Sequence, residues 1–139
     1  MNYVTTRDFV DMIFRSSGKE NRAPGDILNT AYSEGWLEAQ DISWADNYIK
    51  RSDAARILHL FLREVKGMKD LPEISGAEVL KDLYDCRICV NHIAQVFLRG
   101  LIKPVSVKTS DERSFLIFDS GSDLEKDEAV SICEALRYL

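Results

Sequence analysis

The amino-acid sequence predicts a mainly α protein assembled from short helical hairpins, with one β-hairpin inserted among them. Three observations predict it. Apolar residues recur at helical spacing in stretch after stretch. Helix beginnings of one design recur near residues 4, 49 and 124. Residues 105–118 carry β-branched and aromatic runs on either side of a polar turn, the pattern of paired strands.

Taken in order, Phe9, Val10, Ile13 and Phe14 fall on one helical face behind Asp8, and Gly18 stops the helix. Ala23-Pro24-Gly25 reads as a turn and Asp26 as the cap of a second helix. Its apolar positions Ile27, Leu28, Ala31 and Tyr32 run into Gly35-Trp36-Leu37. Residues 38–49 hold no sustained period, so Trp44 and Tyr48 are expected to pack on the core from a loop or short extended piece. From Ser52 a wide stripe of Ala54, Ala55, Ile57, Leu58, Phe61, Leu62 and Val65 marks the strongest helix, with Arg56, Arg63, Glu64 and Lys66 on its wet side.

Residues 67–79 read as a connector, with a short helix toward Leu83 through Val79 and Leu80. Val90, Ile93, Ala94, Phe97 and Leu98 form another stripe that ends at Gly100-Leu101-Ile102, and Pro104 bars its continuation. Val105–Thr109 and Ser114–Phe118 flank the turn Ser110–Arg113 as the hairpin. A last helix turns Ala129, Val130, Ile132, Cys133, Leu136 and Leu139 inward. With 139 residues and no linker or low-complexity run, residues 1–139 are expected to form a single domain.

Composition excludes several classes. The 45% hydrophobic and 29% charged content belongs to a folded chain and not to a disordered one. A net charge of −5 argues against a nucleic-acid partner, which calls for clustered Lys and Arg. No apolar run approaches the roughly 18–20 residues of a membrane span, so no membrane insertion is expected. The opening Met1-Asn2-Tyr3-Val4 lacks the order of a signal peptide, which predicts a cytoplasmic protein, unless the chain is a fragment of an exported one. Cys86, Cys89 and Cys133 are too few for a disulfide framework and suit a reducing or anaerobic setting.

The helix starts align without gaps: Val4-Thr5-Thr6-Arg7-Asp8-Phe9-Val10, Ile49-Lys50-Arg51-Ser52-Asp53-Ala54-Ala55 and Leu124-Glu125-Lys126-Asp127-Glu128-Ala129-Val130. Each has an aliphatic anchor and an acid in the first turn, where negative charge meets the positive end of the helix dipole. A second segment recurs as well: Leu28, Tyr32, Gly35, Trp36 and Leu37 align with Ile93, Phe97, Gly100, Leu101 and Ile102. On these residues the chain resembles degenerate S-layer homology repeats, whose helix starts carry a Thr-Arg-Ala-Glu-like motif and whose second helices end in glycine followed by aliphatic residues. Lys50-Arg51-Ser52-Asp53 is the best match, while Thr6 and Lys126 stand where the other two motif arginines would be. The resemblance covers most of the chain outside the connector and the hairpin.

That resemblance implies a non-catalytic module that binds or anchors to bacterial cell-wall polysaccharide at the cell surface. Arg51 is then the residue expected to read an acidic sugar, since a guanidinium fork donates two parallel hydrogen bonds to a carboxylate. Lys50, Asp53 and Trp36 complete the implied ligand-binding set. A second reading keeps the repeat fold but uses it for protein interaction or self-assembly into a homo-oligomer, because two motif arginines are missing and the last repeat is half a unit.

Other constellations read as ordinary structure. Cys86, Cys89 and His92, with Cys133 or His59, have zinc-like spacing, but a clear second ligand pair is lacking, so the cysteines read as small packed residues and no metal is expected. Redox chemistry at Cys86 and Cys89 lacks the strand-helix setting of a thioredoxin-like motif. Asp11, Asp26, Glu34, Glu38, Asp41 and Asp46 read as a solvated acidic face. His59 and His92 read as packed or surface side chains. Trp36, Trp44 and Tyr48 offer ring faces to a sugar, although aromatics beside a helix-ending glycine usually belong to the core. No nucleophile elbow, phosphate loop or dinucleotide fingerprint occurs, so no cofactor and no catalytic set are expected.

Overall fold

The structure is a computed structural model that describes residues 2–18 and 27–139. Its elements are α1 (Thr6–Ser16), α2 (Ile27–Ser33), α3 (Ala39–Ser43), α4 (Arg51–Glu64), α5 (Val90–Leu98), strands β1 (Val105–Lys108) and β2 (Ser114–Ile117), and α6 (Lys126–Leu136). The expected turn at 23–25 and the cap at Asp26 lie outside the described residues.

Each aligned start opens a helix at the same place. Thr6, Arg51 and Lys126 are the first residues of α1, α4 and α6. The Thr5 side chain caps α1 by accepting from the Asp8 N–H at 3.1 Å, and Glu125 with Glu128 forms a reciprocal capping box on α6.

The three leading aliphatic residues meet in a closed ring. The Ile49 N–H donates to the Val4 carbonyl at 3.0 Å, the Leu124 N–H to Ile49 at 2.9 Å, and the Val4 N–H to Leu124 at 3.3 Å. The first helical residues repeat the same cycle: Thr6 N–H donates to Asn47, Arg51 to Ser122 and Lys126 to Asn2. Every start thereby gives its otherwise orphaned first-turn N–H to the segment just ahead of the next start. Short antiparallel bridges Thr5 with Tyr48, Lys50 with Asp123 and Tyr3 with Glu125 form the three sides.

The glycine-ended helices close alike. Trp36 N–H returns to Ala31 and Gly35 N–H to Tyr32, while Leu101 N–H returns to Val96 and Gly100 N–H to Phe97. This double bond pattern requires a left-handed residue, and Gly35 and Gly100 supply it at φ +93° and +75°. The residues that follow, Trp36, Leu37, Leu101 and Ile102, turn into one apolar core with Phe9, Phe14, Phe61 and Leu62. Trp36 sits between Phe14 and Phe61, with ring centroids 5.2 and 4.9 Å away.

The hairpin pairs Val105 with Ile117 through Lys108 with Ser114, antiparallel, as expected. Departures from expectation have local causes. The expected short helix toward Leu83 is replaced by 3-10 turns at Ser75–Val79 and Leu83–Asp85. Between them Leu80 leaves the helical path to bridge Leu116, and Lys81 N–H donates to the Leu116 carbonyl at 2.9 Å. Residues 39–43 form α3, too short to show a period, held by a capping box of Glu38 and Asp41. Val130 and Leu139 are exposed, not inward, because they fall outside the stripe of Ala129, Ile132, Cys133 and Leu136 that α6 buries. No helix among the described residues is long and apolar enough to cross a membrane.

Gly100→Ala should therefore destabilise the protein by about 1 kcal/mol, since a Cβ there meets open space and only the left-handed backbone resists it. Gly121→Ala, where a Cβ also meets nothing and φ is ordinary, should stay within about 0.5 kcal/mol of the parent in the same urea unfolding measurement.

Candidate functional site

The ring of helix starts leaves open clefts where its segments adjoin. One of about 790 Å³ lies between the first and second starts, bounded by Thr5, Gln40, Trp44, Asn47, Tyr48, Lys50 and Asp53 among others. Its neighbour of about 530 Å³ lies between the second and third, bounded by Tyr3, Lys50, Asp119, Ser122 and Glu128, with Arg51 at its floor. Lys50 and Asp123 border both.

The structure separates the four sequence-derived ligand candidates. Arg51 is only 2% exposed. Its Nε donates to the Phe118 carbonyl and one terminal nitrogen to the Lys103 carbonyl, both at 2.8 Å. The other terminal nitrogen pairs with Glu128, and the guanidinium lies over the Phe118 ring at 5.2 Å. Each of its three nitrogens is thus engaged with a carbonyl or a carboxylate, and the buried fork is not presented to an acidic sugar. Trp36 is fully buried and cannot stack on a ligand. Lys50 and Asp53 do reach the larger cleft. Lys50 pairs with Asp123 at 2.8 Å, and Asp53 stands 3.4 Å from Arg56.

Two residues expected to pack on the core are the exposed ones. Trp44 is 66% exposed and Tyr48 55%, and both border the larger cleft. Trp44 ends α3, and its N–H returns to Gln40, which directs the chain outward. Tyr48 is steadied by the Tyr3 ring at 5.5 Å. No sequence signal marks this exposure, because α3 is too short to assign faces and Tyr48 lies beyond it in an isolated bridge to Thr5.

The cleft floor is polar and internally balanced. Asp41 receives both terminal nitrogens of Arg56 at 2.8 and 2.7 Å and the Glu38 N–H at 2.7 Å, although the Asp itself is buried. Asp46 pairs with Arg7 at 2.9 Å, which holds its carboxyl below the usual range. Four carboxylates and one lysine line the cleft, each engaged with a protein partner. Such carboxylates keep free lone pairs for hydroxyl donors yet repel an anion.

Away from the cleft, the structure joins residues that sequence spacing had placed in a metal reading. His59, buried on α4, bonds His92 of α5 through Nδ1 to Nδ1 at 2.8 Å and Asp70 through Nε2 at 2.6 Å. Asn91 donates to the other Asp70 oxygen at 3.0 Å. Asp70 and His92 lie on opposite nitrogens of one ring, so the donors form a line and do not surround a point; no metal-holding group occurs among the described residues. Burial raises the Asp70 carboxyl, but its bonds to His59 and Asn91 outweigh that and leave it below the ordinary value. Burial, then the charges of His59, Arg56 and Arg63, push the His92 imidazole down to about 4. Cys86 and Cys89, expected as small packed thiols, are joined in a disulfide, while Cys133 is free and buried with its thiol raised to about 11 by burial.

No family model matches the chain, and neither a curated protein nor a solved structure matches it.

Two outcomes test these assignments. Arg51→Ala should destabilise the fold by about 3 kcal/mol or more, read by chemical unfolding, because it leaves two carbonyls and Glu128 without their donor. The His92 shift carries a sign: a pKa depressed in the folded state means only the unfolded chain takes up the proton as pH falls through 6.5. Stability should therefore decline from about pH 6.5 to about 4 and level off below, by roughly 1–2 kcal/mol after solvent screening. His92→Gln should flatten that part of the profile in urea titrations at a series of pH values.

Proposed function

We propose that this chain is a non-catalytic module of S-layer-homology type that docks on bacterial cell-wall polysaccharide, which puts it at the cell surface. The carrying observation is the larger cleft: the exposed ring faces of Trp44 and Tyr48 stand over a floor of paired carboxylates and amides. An aromatic face packs against the C–H side of a pyranose while acceptors beside it take the ring hydroxyls. The cyclic hydrogen bonding of three helix starts and the twin glycine caps support the repeat reading.

The site chemistry narrows the ligand. Arg51 is engaged internally and the cleft holds more carboxylates than cations, so the polymer read here is uncharged and hydroxyl-rich, not pyruvylated. Lys50 and Asp53 bind by hydrogen bonding to hydroxyls, with Trp44 as the stacking platform. The second reading, a protein-interaction or self-assembly module, is favoured by Val130, Tyr138 and Leu139, all exposed on or just after α6.

Co-sedimentation with purified neutral cell-wall polysaccharide tests the proposal. Trp44→Ala should weaken binding by about tenfold or more with its unfolding midpoint unchanged because Trp44 is exposed, and Asp53→Asn by a few fold with only a small drop in midpoint, since its pair with Arg56 is partly exposed. Failure of the parent protein to sediment above background sinks the glycan reading. A mass that rises with concentration in light scattering would then favour self-assembly.

A further inference from the structure

The Cys86–Cys89 disulfide borders neither cleft between the helix starts and plays no part in the glycan reading. Its half-cystines are three residues apart, so it ties no two elements of the fold together. The stabilisation a disulfide draws from restraining the unfolded chain grows with loop length, and this loop is nearly the shortest available. A structural role therefore explains little of it. Both cysteines are half-buried, within reach of solvent.

The local backbone explains what the pair is suited to. Cys86 caps the 3-10 turn Arg87–Cys89, and the Cys89 N–H donates to the Cys86 carbonyl at 3.1 Å. That turn continues at Val90 into α5 with helical dihedrals, so the two sulfurs occupy the first turn of a helical run reaching Leu98. The N–H groups and the dipole at such an end stabilise a thiolate. The other intervening residue, Ile88, is 89% exposed, and Tyr84 just ahead is 61% exposed. Apolar side chains held out around a half-buried disulfide suit contact with a polypeptide more than with a small hydrophilic thiol. Cys133, buried between α1 and α6, takes no part.

We propose that Cys86–Cys89 is a redox-active disulfide that exchanges with dithiols of partner proteins, with Ile88 and Tyr84 contacting the partner chain. A partner thiolate attacks the Cys86 sulfur. The Cys86–Cys89 bond breaks, and Cys89 leaves as a thiolate that takes a proton from water. The partner's second thiolate then attacks the partner sulfur of the mixed disulfide and expels the Cys86 thiolate, which the helix end stabilises. The partner dithiol loses two electrons and two protons and becomes a disulfide, and the cysteine pair gains both.

The test incubates the native full-length chain with three defined probes, reduced thioredoxin, reduced glutathione and reduced dithiothreitol, and counts free thiols by mass-tag alkylation. The protein dithiol should reduce Cys86 and Cys89 at least about tenfold faster than glutathione at equal thiol concentration. The unfolding midpoint should hardly move on reduction, and a reduced thioredoxin variant lacking its second cysteine should be trapped on Cys86 of the native chain as a mixed disulfide. A Cys86→Ser, Cys89→Ser double variant that folds normally would confirm that the bond is dispensable for structure. The proposal fails if the bond resists all three probes until the chain is unfolded. It fails equally if glutathione matches the protein dithiol, or if reduction itself unfolds the protein.

Discussion

The closed ring of backbone hydrogen bonds through Val4, Ile49 and Leu124 is the constraint on which the rest of the molecule depends. Three segments far apart in sequence are brought to one point, and each lends its helix start a bonded entrance. The bonds supply geometry more than energy, at about 1 kcal/mol net each, whereas burying each aliphatic side chain is worth roughly 1.5–3 kcal/mol. Val4, Ile49 and Leu124 are all buried, so the ring is an apolar nail whose register is set by its polar backbone. A slip by one residue would turn an anchor outward and break two bonds of the cycle.

What differs around the ring decides where a ligand fits. At the junction of the second and third starts, residues 103 and 118 on either side of the inserted hairpin bring their carbonyls onto Arg51, and Glu128 pairs with its remaining terminal nitrogen. Arg51 is the fastener of the hairpin at this junction. At the junction of the first and second starts no insertion intrudes, and α3 instead lifts Trp44 to the rim. Both junctions keep a cleft, but one has its arginine fastened internally while the other is bordered by Trp44 and four paired carboxylates.

The sequence was legible where a rule acts over a few residues. Acid-bearing helix starts, glycine caps before Trp36 and Leu101, and the strand runs at 105–118 each carry their signal within a turn or a hairpin, and the structure has them where they were expected. It was illegible where partners are remote. The acceptors of Arg51 lie 52 to 77 residues away, and no local pattern reveals that its fork is already occupied. Trp44 and Tyr48 face solvent, which no periodicity shows: Trp44 follows a helix of five residues, too short to define a face, and Tyr48 sits in an isolated bridge to Thr5. The aromatic beside Gly35 was, by contrast, buried as the usual statistics hold, which removed Trp36 from the ligand set.

The connector shows a different way of holding a chain in place. Residues 67–85 contribute only short turns and a few apolar anchors, Ala77, Leu80 and Leu83. Polar clasps do the rest: the buried Gln95 accepts from the Leu71 N–H at 2.8 Å and donates to its carbonyl at 3.0 Å, as a strand neighbour would. Asp82 takes the N–H groups of Phe118 and Asp119, each at 2.7 Å, and the line from Asp70 through His59 to His92 fastens the connector to α4 and α5. Each clasp adds little net energy, because water offers the unfolded chain the same bonds, but each penalises misplacement by the cost of a buried unpaired group. Apolar burial makes the ring stable, and paired polar groups make the connector's position unique.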